Sequence, residues 1–190
     1  MTALLRPALM LFATLTVVTG MVYPLVVTGL AQLLFPHQAN GSMLTVNGQP
    51  VGSALIGQSF SSPQHFWGRP SATAPQPYNA AASSGSNLGP LDPALRDAVK
   101  ARIEALMAAD SNNEQLVPID LVTASASGLD PDISLAAAYY QAQRVAKSRD
   151  LPMERVKTLI EQHAKRPWLG LFGEPRVNVL ALNIALDQLP

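Results

Sequence analysis

The residues able to do chemistry in this chain are few and scattered. Ser83-Ser84-Gly85-Ser86-Asn87-Leu88-Gly89 is the most site-like run, because hydroxyls and small residues can turn backbone N–H groups toward an anion. It lacks the Gly-Lys-Ser/Thr ending of a P-loop and has no strand feeding it, and it carries no Gly-x-Ser-x-Gly elbow. A surface or docking loop is the better reading. His37, His65 and His163 lie far apart, with none of the short spacings that build a metal site on one element. His163 is read as a packing residue on the edge of a helix. Asp130-Pro131-Asp132 offers too few oxygens for a calcium loop and reads as the cap of a following helix. Arg69 and Arg176 each adjoin a proline, which holds a guanidinium ready for a carboxylate, either on a partner or within the chain. There is no cysteine, so disulfides, thiolate metal sites and a cysteine nucleophile are excluded.

Charge divides the chain sharply. All 13 acidic residues and every basic residue except Arg6 lie from Arg69 onward. The remainder is near neutral and has no basic stripe, which argues against a nucleic-acid partner. From Pro7 to Gly68 there is no Asp, Glu, Lys or Arg, and Pro7 to Phe35 is almost unbroken hydrocarbon. Residues 8–34, if helical, extend roughly 40 Å, enough to cross a bilayer with some tilt. The run is about twice the apolar length of a signal peptide and no Ala-x-Ala follows it, so it reads as a retained anchor. Arg6 precedes it, while residues 36–62 have no Lys or Arg. The positive-inside rule then makes residues 1–7 cytoplasmic and residues 35–190 an extracytoplasmic, periplasmic domain.

Within the span, Pro24 removes a helix hydrogen bond and predicts a kink whose freed carbonyl needs a partner. Ala13, Thr16 and Gly20 form a small-residue face on which another helix can pack, although such residues are tolerated in lone spans too. Beyond it, Met43 to Val46, Asn47-Gly48 and a return from Val51 to Ile56 predict a hairpin. Residues 66–71 suggest a short extended piece, and residues 73–90 a loop. Asp92-Pro93 caps a helix with Leu95, Val99, Ile103 and Leu106 inward and Lys100–Glu104 outside. Residues 116–122 predict a strand. Helices follow over residues 132–147, from Pro152 with Glu161–Lys165 as an outer pair, and over residues 177–189 after a loop at 168–175. The sum is an α+β, mixed α/β chain: one N-terminal transmembrane helix, then a single soluble domain of short strands and about four helices. No nucleophile–base pair can be named. That profile suits an accessory subunit first, and a tethered binding module next.

Several irregular motifs, in order, carry a resemblance over nearly the whole length. They are Gly20-Met21-Val22-Tyr23-Pro24, residues 52–58, Gly68-Arg69-Pro70-Ser71-Ala72, Tyr78-Asn79, residues 83–90, residues 120–125, Ser127-Gly128-Leu129-Asp130-Pro131 and residues 173–180. The chain resembles the C subunit family of the Kdp potassium-transporting P-type ATPase. Ala126, Asp132 and Leu135 stand where relatives are expected to have Gly, His and Pro. The resemblance implies an inner-membrane complex with a channel-like potassium-conducting subunit, an ATP-hydrolysing P-type subunit and a small fourth subunit. It implies a non-hydrolysing subunit that stabilises the assembly and acts as a catalytic chaperone raising ATP affinity. No cofactor is expected on the chain itself, with ATP reached through the complex. If nucleotide is touched directly, the family proposal falls on Ser84, Gly85, Ser86, Asn87 and Gly89. Partner contacts are expected at Ala13, Thr16, Gly20, Pro24, Arg69, Asn87 and Arg176.

Overall fold

The computed structural model describes residues 2–167, 170 and 173–189; the expected loop at 168–175 therefore falls partly outside the described residues. The chain forms two compact units, Met1–Met43 and Leu44–Pro190.

In the first unit the apolar stretch is helical from Thr2, six residues before the expected start at Ala8. Helix α1 (Thr2–Val17) passes into a π-helical turn (Val18–Val22) and then α2 (Tyr23–Leu34). Leu4–Leu34, 31 residues, is long and apolar enough to cross a membrane. The expected break at Pro24 takes the form of this π turn. The Tyr23 N–H donates to the Val18 carbonyl, and Pro24 falls in the first turn of α2, where its missing N–H costs least. Thr16 and Thr19 hydroxyls donate back to the Phe12 and Leu15 carbonyls at 2.8 and 2.7 Å. A short helix α3 (Pro36–Ala39) follows.

The second unit mixes helix and strand as expected. Strands β1 (Met43–Val46) and β2 (Gln49–Ser53) form the predicted hairpin, with Asn47 and Gly48 at φ 52° and 77°. The return strand begins and ends earlier than Val51–Ile56, giving way to a turn at residues 54–56. Asp92 caps α4 (Pro93–Ala109) by accepting from the Ala94 N–H, and Lys100 pairs with Glu104 at 3.9 Å. The strand expected over 116–122 is not formed. Leu116 and Ile119 are 94% and 75% exposed, and Pro118 opens a 3-10 turn at Ile119–Leu121, so Leu121 and Val122 are buried and Val117 packs only partly against the core.

The helix expected from Asp132 begins three residues later. Residues Asp132–Ser134 form β3, and α5 occupies Leu135–Ser148. Strand β5 (Arg176–Asn178) likewise precedes α7 (Val179–Asp187), where one helix was expected. Helix α6 (Met153–His163) runs directly into the two-residue β4 (Ala164–Lys165), and β4 joins β3 and β5 in an antiparallel sheet ordered β3-β5-β4. The Val179 N–H reaches the Pro131 carbonyl at 3.0 Å, which fixes the alternation along β3. The N–H groups of Asp132 and Ser134 therefore point away from β5. They end on the Asp130 and Asp120 carboxylates at 3.0 and 2.7 Å. Capping of α5 belongs to Ser134, which accepts from Ala137 N, and not to the Asp130-Pro131-Asp132 run. Glu161 pairs with Arg166 at 2.7 Å and with the Tyr139 hydroxyl, not with Lys165, because the helix ends at His163.

Helices α5, α6 and α7 close over this sheet. Ala137, Ala138, Ala142, Val145, Val156, Ile160, Val177, Leu182 and Leu186 are buried together, and the small alanines let α5 approach its neighbours closely. Phe66 plugs the core without belonging to a strand. Its N–H donates to Asn183 Oδ1 at 2.8 Å, and its carbonyl accepts from Asn183 Nδ2 at 3.0 Å. Trp67 does the same with Gln141, at 2.8 and 3.1 Å. Two buried side-chain amides thus take the place of a neighbouring strand for the segment expected to be extended. Gln141 is saturated: its oxygen also accepts from Arg144 at 2.8 Å and its nitrogen donates to the Ala137 carbonyl at 3.2 Å. Arg144, stacked 4.6 Å from the Trp67 ring centroid, is pushed down to about 10 by burial.

Asn183→Ala should lower stability by about 2–4 kcal/mol, since it strands the buried N–H and carbonyl of Phe66 and leaves a void. Urea unfolding of the detergent-solubilised full chain measures this; a loss under about 0.5 kcal/mol would contradict the role given to the amide.

Candidate functional site

A cleft of the second unit, about 620 Å³, gathers residues that the sequence keeps far apart. It is lined by Arg69, Asp120, Asp130, Asp132, Ser134, Glu174 and Arg176, with Pro118 and Ile119 among its apolar walls. Arg69 arrives on the irregular segment held by Gln141 and Asn183. Its Nη1 meets Asp130 Oδ2 at 3.1 Å, its Nε donates to the Thr123 carbonyl at 3.3 Å and its Nη2 to the Ala124 carbonyl at 3.5 Å. Arg176 projects from β5 and pairs with Asp132 at 2.8 Å, while Asp132 also accepts from Asn178 at 3.2 Å. Both arginines thus make the internal salt bridges that were one of their two readings. Asp120 and Glu174 are the carboxylates of the cleft with no ion-pair partner among the described residues, and Asp120 is held instead by the Ser134 N–H and hydroxyl.

The cleft holds no reacting pair. Ser134 is spent on the cap and on Asp120 at 3.2 Å, and no histidine lines the walls. Among the described residues no group of three His, Cys, Asp or Glu is placed to hold a metal. The arrangement can cross-link four chain segments and present a mixed acidic and apolar surface. His65 lies elsewhere, 3.0 Å from Asp187, which Arg149 also engages. Burial alone would raise the Asp187 carboxyl, but the bonds from Arg149 and His65 hold it below the usual carboxylate range. His163 packs as expected, with Nδ1 2.9 Å from the Leu159 carbonyl.

The Ser/Gly-rich loop lies along residues 125–128. Ser84 N–H and the Ser83 hydroxyl both donate to the Ser127 carbonyl at 3.0 Å, and Ser84 Oγ donates to the Gly85 carbonyl at 3.1 Å. A side chain at Gly85 would come within 2.9 Å of the Ala126 carbonyl, which is why glycine stands there. Asn87 takes a positive φ of 53°; Gly85 and Leu88 are half-buried, whereas Ser86, Asn87 and Gly89 are exposed. Arg69 and this loop therefore flank the same 123–130 segment, whereas Arg69 and Arg176 share the cleft. Ala13, Thr16, Gly20 and Pro24 lie exposed along the first unit, and the π turn shifts Gly20 off the straight line that its spacing gives.

Tyr78, part of the Tyr78-Asn79 motif but given no expected site role, supports the Arg69 segment from behind. Its hydroxyl donates to the Arg69 carbonyl at 2.5 Å, and its ring packs where a Cβ on Gly57 would sit 2.4 Å away. Burial, aided by the Asp130 charge, pushes its phenol up to about 12 from 10.0. The folded state therefore favours the protonated phenol, a contribution complete below pH 10 and lost as pH rises to about 12. Tyr78→Phe should cost about 1 kcal/mol at neutral pH, while its stability declines less steeply than wild type over that alkaline window. Urea midpoints across the pH range decide it; parallel declines would count against Tyr78 as the titrating group.

Comparison with known proteins bears on what carries this cleft. The family described as K+-transporting ATPase, c chain, matches residues 5–188. The potassium-transporting ATPase KdpC subunit of Polaromonas naphthalenivorans (strain CJ2) is 67% identical over 186 residues, 98% of this chain and 95% of its own. The protein of the same name from Variovorax paradoxus (strain S110) is 67% identical over 187 residues, 98% and 97% of the two chains. That of Herminiimonas arsenicoxydans is 64% identical over 188 residues, 99% of each. End-to-end matches at this identity, over the motifs that build the Arg69 clamp and the β3–β5 sheet, leave one assignment: the chain belongs to the KdpC family of potassium-transporting ATPase subunits.

Proposed function

We propose that the chain is an accessory, non-hydrolysing subunit of an ATP-driven potassium uptake complex in the inner membrane. Its amino terminus is cytoplasmic and residues 35–190 face the periplasm. Its partners are a channel-like potassium-conducting subunit, an ATP-hydrolysing P-type subunit and a small fourth subunit, with helix contacts at Ala13, Thr16, Gly20 and Pro24. Membership of the family supports the complex. What supports the accessory role is that the polar groups of the cleft are spent on one another: two arginines, three aspartates and a serine are mutually satisfied, leaving a framework without a reactive centre.

On this reading the family's effect on ATP affinity is indirect. Nucleotide and the outer domain lie on opposite sides of the bilayer, so the coupling passes through the spanning helix. The π turn ahead of Pro24 is the natural place for it, because such turns interrupt the regular α-helical hydrogen bonding and occur frequently at functional sites. Direct contact of ATP with Ser84, Gly85, Ser86, Asn87 and Gly89 is the competing version. The internal use of the Ser83 and Ser84 donors favours the indirect one.

Copurification in mild detergent should recover the partner subunits with the tagged chain; a stable lone monomer would overturn the accessory reading. A carboxyl-terminal reporter that works only outside the cytoplasm should be active. An inactive reporter, together with labelling by a photoreactive ATP analogue that is lost on changing residues 84–89, would install the direct version instead.

A further inference from the structure

The β1–β2 ribbon is a surface with an unusual chemistry. About one residue in five is charged from Arg69 onward, yet residues 35–68 contain no Asp, Glu, Lys or Arg at all. Part of that stretch is folded surface rather than core. Thr45, Asn47, Gln49, Pro50 and Val51 are exposed, and Leu55 in the following turn is 62% exposed. Among the described residues the ribbon has no third strand, and its open edges lack the charged side chains that ordinarily guard such edges in water. An uncharged, unguarded, partly apolar ribbon is suited to a surface where charge is costly to bury.

The ribbon is also held rigidly and close to the anchor in chain length. Gln58 Nε2 donates to the Val51 carbonyl at 2.9 Å, Asn178 Nδ2 to the Ala54 carbonyl at 2.9 Å and Gly57 N–H to the Leu129 carbonyl at 2.9 Å. Eight residues, Phe35 to Ser42, join the end of α2 to the start of β1, a tether of at most about 28 Å. The headgroup layer accepts uncharged polar and aliphatic side chains and rejects charges pressed toward hydrocarbon. We propose that the β1–β2 ribbon and the Leu55 turn rest in the lipid headgroup layer, so that the part of the domain set against the membrane carries no charged side chain of its own. The partner is lipid, and the contact is not electrostatic. It requires only that α1–α2 crosses the bilayer, so it stands apart from the accessory-subunit reading and from the side on which the domain lies.

The absence of cysteine makes a single introduced thiol unique within the chain. Thr45→Cys and Val51→Cys, each labelled with an environment-sensitive fluorophore, are compared with Lys100→Cys on the charged face of α4. The full chain, in the complex it copurifies with or alone if it proves to be monomeric, is reconstituted into phosphatidylcholine vesicles. Headgroup-labelled nitroxide lipid should quench the labels at 45 and 51 about twofold or more, spare the label at 100, and do so equally in high salt. Quenching of the ribbon labels by iodide instead would place them in water and overturn the proposal. Protection from both quenchers would mean that a protein covers the ribbon, equally overturning it, as would lipid quenching no stronger at 45 and 51 than at 100.

Discussion

Two side-chain amides buried in helices determine where everything else in the second unit can go. Gln141 on α5 and Asn183 on α7 are each 1% exposed, and together they accept and donate for both peptide groups of Phe66 and Trp67. A peptide group taken from water without partners costs several kcal/mol, so an irregular segment can enter a core only where such partners wait. Here they do, and Phe66 fills the space between the helices. The next residues then emerge at a fixed point, which sends Arg69 across the 123–130 segment to Asp130. The cleft owes its shape to two amides that do not line it.

The charged residues of the cleft act as ties between segments distant in sequence. Arg69 links the segment after the hairpin to the loop before β3, and Arg176 links β5 to Asp132. These pairs are partly exposed, so their energetic worth is modest, and their value lies in setting register where strands are only two or three residues long. Such short strands have little ladder of their own.

Much of this was legible in advance where local signals were strong. The charge-free apolar helix, the Asn47-Gly48 hairpin and the Asp92-Pro93 cap each rest on interactions between neighbours in sequence. The failures share a cause. Strands β3 and β5 lie within runs that read as helical, and only their pairing with one another makes them extended. Residues 116–122 carry β-branched and aliphatic types but have no strand to pair with, so Pro118 and the 3-10 turn prevail. Gln141 and Asn183 left a signal that went unused. A single amide on an otherwise apolar helix face must find a backbone to bond. For Arg69 and Arg176 both readings stood open, since sequence places neither near a carboxylate; Asp130 and Asp132 are 61 and 44 positions away.

The aspartates that end the β3 edge have a wider consequence. With the outward N–H groups of Asp132 and Ser134 already bonded to Asp130 and Asp120, the sheet offers no main-chain donors there for a fourth strand. Copies of the chain that meet along that margin find no main-chain donors on β3 to pair with, and an extended peptide gains none by lying beside it. Recognition at this side of the molecule is thereby left to side-chain shape and chemistry, which distinguish one neighbour from another far better than a bare backbone does.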